Sequence, residues 1–431
     1  MRIAFVSIAA PGHLNPMTTL ARQMKKRGHD VVFSSLLDTE GFAHAAGLSF
    51  VPLCEKEFPA GSVSKLSEPL SRLQGQAAME HTFQLLANVL QNEIIDLPQT
   101  LSACGADAVV LDEADTYLSL VPMHLGMPYV SVSNALPFDF SGQAPLCLFD
   151  SAFDPSPAGL ARNREQLKFA EPVFAPRKAV GRAYAEKIGL EVDWADPFAT
   201  ISKLAWLTQM PREFDFRLSH WPPQFHYTGP FQDGAGRKNT DFPWDRLTGE
   251  PLVYASMGTM QNGLEPVFST IAEGVGERPG VQLILSIGPV LDPQQIRSLS
   301  KSAIVVSNAP QLKLLERSAL CITHAGLNTA LECLTRGVPM VAVPITNDQP
   351  GVAARIAYTK TGTVVPFQEL AASAIRGRID EVLGNPEYRQ NAMRFKRIIA
   401  ETDGLARAAQ MLENAFDLKP ENRSDASQNP V

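Results

Sequence analysis

The chain has 431 residues, of which 45% are hydrophobic and 19% charged, with a formal net charge of −7. That length exceeds one ordinary core and argues for about two domains, and an acidic balance without a basic stripe argues against a nucleic-acid partner. No apolar run reaches the ~18 residues that would cross a bilayer, although peripheral membrane contact stays open. Five cysteines (Cys54, Cys104, Cys147, Cys321 and Cys333) are scattered without metal-ligand spacing, which suits a reducing cytoplasm.

Arg2 to Ala9 reads as a buried strand, and because it runs into Gly12-His13 and an amphipathic pattern it is a first strand and not a leader. Pro11-Gly12 makes a turn, and Leu14 to Lys26 form a helix that stops at Arg27-Gly28. His13 thus falls on a loop at a strand's carboxyl end, where it is either a helix-entry side chain or a functional base. Strands follow at His29 to Leu36, Leu48 to Leu53, Ala106 to Leu111 and Tyr129 to Val132, with a long helix from Leu66 to Leu101. This alternation predicts a doubly wound parallel sheet. Asp112, with Asp115 three residues on, ends the fourth strand as a helix N-cap, a solvated carboxylate or a site residue.

From Pro137 to Pro176 the periodicity weakens into a Phe- and Pro-rich stretch, read as a long loop whose Phe138, Phe140 and Phe149 either wall a greasy ligand or pack in part into the ordinary core. Leu204 to Thr208 is one more strand. Pro211 to Pro251 reads as a linker region, with the domain boundary near Asp233 and the linker proper over 234–250. A second domain over 251–404 opens with the strand Pro251 to Ala255 and the turn Ser256-Met257-Gly258-Thr259. The helices Ala371 to Leu383, Pro386 to Ala400 and Leu405 to Phe416 follow, and a polar tail over 420–431 reads as disordered.

Ser302 to Ile356 carries the densest signal. The strand Leu320 to Thr323 ends at His324-Ala325-Gly326, a helix over Asn328 to Arg336 stops at Gly337-Val338-Pro339, and the strand Met340 to Val343 is closed by Pro344. Polar side chains gather where these strands end. A helix N-terminus there suits a phosphate, and Gly326 lets backbone approach a bulky anion. His324 and Asn328 can donate to its oxygens, Glu332 can accept from vicinal hydroxyls, and Asp348-Gln349 can hold a sugar. The implied ligand is a diphosphate with a sugar on each side.

These residues resemble the donor signature of the family 1 UDP-glycosyltransferases, an Ala-Pro-Gln followed by His-x-Gly-x-Asn-Ser/Thr-x-x-Glu, Gly-Val-Pro and Asp-Gln. The matches are Ala309-Pro310-Gln311, His324, Gly326, Asn328, Thr329, Glu332, Gly337-Val338-Pro339, Pro344 and Asp348-Gln349. The resemblance implies the GT-B fold, two Rossmann-like α/β domains facing across a cleft, with the helix over 405–418 packing back on domain 1–233. It implies His13 as catalytic base, within Pro11-Gly12-His13-Leu14-Asn15-Pro16, and Asp112 as its partner with Asp115 as the substitute. It places Gly258, Thr259, His324, Gly326, Asn328 and Thr329 on the donor diphosphate, and Glu332 on the ribose. Asp348 and Gln349 would hold the transferred sugar, Ala309 and Gln311 would lie at the base, and no cofactor or metal is expected.

Plant members stack uracil on a Trp where this chain has Asn308, which leaves UDP and TDP both open. The segment Asn134-Ala135-Leu136-Pro137, Ala255 to Gln261 and Asp348 to Ile356 are most similar to bacterial carotenoid-glycosylating members, and Asn134 joins the phenylalanines as an acceptor residue. The expected reaction is inverting, metal-independent hexose transfer from a UDP-sugar to a hydrophobic hydroxyl compound such as a carotenoid. A polyketide, macrolide or flavonoid acceptor is the alternative, and a GT-B epimerase or a non-catalytic GT-B partner the more distant rivals. No G-x-G-x-x-G after a strand, G-x-x-x-x-G-K-[ST], G-x-S-x-G or H-E-x-x-H competes.

Overall fold

The computed structural model describes residues 1–217, 221–235, 240–259, 262–276 and 278–418. The reading of a tail over 420–431 and part of the reading of the linker therefore lie outside the described residues.

Seven strands form the first sheet: β1 (Arg2–Val6), β2 (Asp30–Leu36), β3 (Ser49–Leu53), β4 (Ala108–Asp112), β5 (Tyr129–Ser133), β6 (Trp206–Thr208) and β7 (Phe225–Tyr227). Their order is β3-β2-β1-β4-β5-β6-β7, with every neighbour parallel. A second, six-stranded sheet contains β8 (Leu252–Ser256), β9 (Gln282–Ser286), β10 (Ile304–Val306), β11 (Ser318–Thr323), β12 (Met340–Ala342) and β13 (Gly362–Val364). It runs β10-β9-β8-β11-β12-β13, again all parallel. Strands covered by helices on both faces must be apolar throughout, as the fully buried Ala-Val-Val-Leu-Asp of β4 and Leu-Val-Tyr-Ala-Ser of β8 are.

Each sheet reverses its winding once, between β1 and β4 in the first and between β8 and β11 in the second. Such switch points open a crevice at the strands' carboxyl ends. His13 and Asp112 stand at the first, Gly258 and His324 at the second, and the two line one cavity.

Helix α1 (Pro11–Lys26) starts three residues earlier than its sequence pattern predicts, with Pro11 at the first helical position, so His13 sits in the first helical turn and not on a loop. The predicted helix from Leu66 is interrupted: a short helix Ser62–Ser67 and a turn at Pro69–Ser71 precede α2 (Gly75–Cys104). The largest correction is α3 (Pro157–Ile188), 32 residues long, most of which falls in the stretch read as loop. Ser156 caps it, its Oγ accepting from the Gly159 amide at 3.2 Å, and Pro157 fits the first turn. Pro172 and Pro176 each remove an internal hydrogen bond, at ~3 kcal/mol apiece. The buried Ala170 and Val173, and the half-buried Phe174 set edge-on against Phe83 of α2, offset that loss. β7 was also missed, because Pro222-Pro223 just before it reads as linker; prolines are tolerated beside an edge strand.

Helices α4 (Leu327–Arg336) and α5 (Gln349–Tyr358) carry the donor-side residues, and α6 (Gly404–Ala415) returns to the first domain. Leu405, Ala408, Ala409 and Leu412 of α6 share a core with Ile3, Leu14, Met17 and Leu20. Glu413 receives Arg27 Nη2 at 2.5 Å and lies 2.8 Å from His29 Nε2. A buried ion pair joins the domains elsewhere: Arg355 of α5 donates to Asp215 Oδ1 from Nε (3.0 Å) and Nη2 (2.7 Å), under the Phe216 ring.

Candidate active site

A cavity of about 1060 Å³ lies between the domains and is lined by both. On the first-domain side, His13 Nδ1 is 2.9 Å from Asp112 Oδ2 and 3.2 Å from Oδ1. Asp112 is also the N-cap of the turn after β4, its Oδ1 accepting from the Ala114 amide at 3.1 Å, and Ser7 Oγ donates to its Oδ2 at 3.1 Å. The cap and the histidine partner are thus the same carboxylate. With Nδ1–H donated to Asp112, the basic nitrogen of His13 is Nε2. Burial opposes a charged imidazole here, but the Asp112 carboxylate outweighs it, with Asp348 and Glu113 adding, and the His13 pKa is raised. Asp115, the expected substitute, pairs instead with Arg177 at 2.8 Å.

Across the cavity, His324 follows β11 and is held in the neutral form, its pKa pushed down to about 4 by burial. Its ring is flanked by two glycines. A Cβ on Gly258 would lie 2.6 Å from it and one on Gly326 2.5 Å, so the imidazole fits only because both lack side chains. Its Nδ1 has no protein partner among the described residues. Gly326 is the N-cap of α4 and has no side chain to cap it, which leaves the first-turn N–H groups near Asn328 and Thr329 for an anion. Glu332 is buried and accepts from Gln311 Nε2 at 2.6 Å, while Gln311 Oε1 accepts from Tyr254 at 3.0 Å. Gln311, expected at the base, is therefore tied to Glu332, expected at the ribose, and with Ala309 and Thr259 it lines the cavity.

Asp348 Oδ2 accepts from the Leu136 amide across the cleft at 3.1 Å, and burial raises its pKa. Gln349 Oε1 accepts from the amides of Ile345 and Thr346 at 2.8 and 3.1 Å, so part of its side chain shapes the loop before α5. Asn328 also reaches across: its Nδ2 donates to the Gly12 carbonyl at 2.6 Å. Its Oδ1 accepts from Gln209 Nε2 at 2.8 Å, and that same nitrogen donates to the Asn134 carbonyl at 2.9 Å. Sequence reading missed Gln209, although its place just after β6, at a strand's carboxyl end, was the available signal.

Of the expected acceptor residues, Asn134 and Phe138 line the cavity, while Phe140 and Phe149 do not. Phe140 packs on Phe138, Phe174 and Phe198, and Phe149 on Phe169, so both rings serve the aromatic layer behind the wall. The apolar wall comes chiefly from Val63, Leu66, Phe83, Leu86 and Val89, ahead of the segment expected to supply it. Glu113 and Arg177 also line the cavity and were missed. Burial, then the neighbouring Asp112 carboxylate, push Glu113 up to about 7. Among the described residues, no three His, Cys, Asp or Glu side chains are grouped to hold a metal, and no helix is long and apolar enough to cross a membrane.

The chain is similar to known proteins in sequence and in fold. Residues 242–407 match the family model described as UDP-glucoronosyl and UDP-glucosyl transferase. The chain is similar to a zeaxanthin glucosyltransferase of Pantoea ananas, 26% identical over 96% of each chain. It is also 26% identical to the demethyllactenocin mycarosyltransferase of Streptomyces fradiae, with 95% of this chain and 86% of that one covered. Among solved structures, a glycotransferase of kitacinnamycin superposes with a TM-score of 0.75 at 21% identity, covering 97% of this chain and 99% of the other.

Proposed function

We propose, for a glycosyltransferase of GT-B fold whose residues 242–407 match the UDP-glucoronosyl and UDP-glucosyl transferase model, an enzyme that moves a hexose from a nucleoside diphosphate sugar to a hydroxyl of an apolar small molecule. The observation that carries this reading is the His13–Asp112 pair at 2.9 Å, facing the uncapped N-terminus of α4 across one cavity. The acceptor oxygen attacks the anomeric carbon as His13 Nε2 takes its proton, and the bond from that carbon to the diphosphate breaks with inversion. An alcohol is far less acidic than imidazolium, so proton transfer accompanies attack. Asp112 holds the ring's tautomer and stabilises its positive charge.

The departing diphosphate is met by His324, Asn328, Thr329, Thr259 and the helix N-terminus. These neutral donors and the helix dipole support a reaction without cofactor or divalent cation, so activity should persist in a chelator. Glu332 would take the ribose hydroxyls, and Asp348 with Gln349 the sugar. UDP-glucose and a carotenoid alcohol are the first choice, on the likeness to the zeaxanthin enzyme. TDP-sugars and a polyketide acceptor are favoured instead by Asn308, which lines the cavity where a stacking ring would be expected, and by the mycarosyltransferase, likewise 26% identical. Five unpaired cysteines support a cytoplasmic setting.

The test is a thermal-shift panel of UDP, TDP, GDP and their hexoses, followed by mass analysis of products with carotenoid, macrolide and flavonoid alcohols. NMR of the new anomeric centre reads the stereochemistry. Hydrolysis or epimerisation of donor alone, with no transfer to any alcohol, would refute the reading.

A further inference from the structure

The cavity is not apolar where it meets the His13–Asp112 pair. Glu113 follows Asp112 directly and lines the cavity, with Ser133 Oγ donating to its Oε2 at 3.3 Å. That hydroxyl in turn accepts from Trp206 Nε1 at 2.7 Å, which fixes it. One residue beyond Ser133, at the end of the adjacent strand, Asn134 is 2% exposed and also lines the cavity. Neither its amide nitrogen nor its amide oxygen has a partner among the described residues. Arg177 of α3 reaches the same wall, 5% exposed, held by Asp115 at 2.8 Å and by the Ala114 carbonyl. Its Nε too lacks a partner among the described residues.

Buried donors and acceptors are almost always paired, because leaving them unpaired forfeits their hydration without return. A wall that keeps a carboxyl, a whole amide and a guanidinium nitrogen available is matched to a polar group of a ligand. Resting on the reading of this cavity as an acceptor site, we propose that Glu113, Asn134 and Arg177 form a polar subsite that holds a second oxygen of the acceptor, a hydroxyl or a carbonyl, beside the hydroxyl presented to His13. The acceptor class is then an apolar skeleton carrying at least two oxygen functions on the part that enters. A carboxyl near half-protonation at neutral pH can both donate and accept, and the Asn134 amide does both as well, so the subsite takes either oxygen type.

The test compares 2-naphthol with 2,3-, 2,6- and 2,7-dihydroxynaphthalene as acceptors, using whichever nucleotide sugar the donor panel selects. The readout is the ratio of kcat/KM between diol and mono-ol, halved for the two hydroxyls, so that a change in absolute rate does not enter. In the wild type at least one diol should exceed the mono-ol by about tenfold, mainly through KM. In Glu113→Leu the excess should fall below about twofold, while Glu113→Gln, which still donates and accepts, should keep most of it. An undiminished diol preference in Glu113→Leu, or no diol preference in the wild type, would overturn the subsite while leaving glycosyl transfer intact. No transfer to any naphthol or natural alcohol would count against the transfer reading itself.

Discussion

The two walls of the cavity are built on different principles. The second-domain wall is made of strand ends, a helix N-terminus and polar side chains that fall largely between Ala309 and Gln349, joined by Gly258 and Thr259 from the end of β8. The first-domain wall draws on α1, the short helix Ser62–Ser67, α2, the turn after β4, the end of β5 and α3. A diphosphate demands backbone N–H groups and close approach, so its site is tied to glycines and to the ends of secondary structure. A greasy ligand demands only volume and apolar surface, which many helical faces can supply. The first kind of site leaves a local pattern and the second does not.

Variants that break one wall and spare the other sharpen this contrast. The largest effect is expected at His13: His13→Ala should lower turnover by about 10²–10⁴-fold, and by less for a phenol than for an aliphatic alcohol, since a phenol near pKa 10 ionises in part unaided. Asp112→Asn should lower it less. Wild-type turnover of an aliphatic alcohol by His13→Ala would leave the residue a helix-entry side chain. Where the two domains meet, Arg355→Met removes the cation from the buried Asp215 carboxylate, which keeps its bonds from Trp221 and Tyr227, and should destabilise the protein by about 3–5 kcal/mol in denaturant melts. A loss under about 1 kcal/mol would mean that the pair does not hold the interface.

His324 gives a signed pH dependence. Its folded pKa, about 4, lies below the ordinary value of 6.5, so the unfolded chain binds the extra proton first as pH falls. The stability attached to the neutral ring is complete above about 6.5 and declines by roughly 3 kcal/mol towards pH 4. Glu113 works in the opposite sense, its raised pKa destabilising the fold as pH rises through about 4.5–7, so the His324 contribution must be read as a difference. In denaturant melts the stability of wild type minus that of His324→Gln should fall by roughly 3 kcal/mol between about pH 6.5 and pH 4; parallel curves would mean a histidine that titrates normally. Gly326→Ala sets a methyl against the same ring and should cost about 1–3 kcal/mol of stability together with donor affinity. Unchanged donor affinity in that variant would separate His324 from the nucleotide.

The same contrast explains what sequence could and could not tell. Alternating apolar runs and helical stretches were enough for two doubly wound parallel sheets, and α4 with its Gly337 cap stands within one residue of its predicted start. Phe140 and Phe149 were misplaced because aromatic composition does not say whether a ring faces a ligand or a neighbouring helix. α3 was hidden because local proline chemistry points to a loop, and only its burial against α2, a tertiary fact, reverses that. Gln209 and Arg177 carry no motif at all; they act through partners 119 and 62 residues away.

The division of labour between the walls is tested most directly by calorimetric titration of the turned-over nucleotide sugar into His13→Ala and Glu332→Ala. Loss of the charged acceptor at Glu332 should weaken binding by about 1–3 kcal/mol, whereas His13→Ala should bind donor as tightly as the wild type does. Wild-type affinity in Glu332→Ala together with weakened binding in His13→Ala would place the nucleotide on the wrong wall and contradict the account.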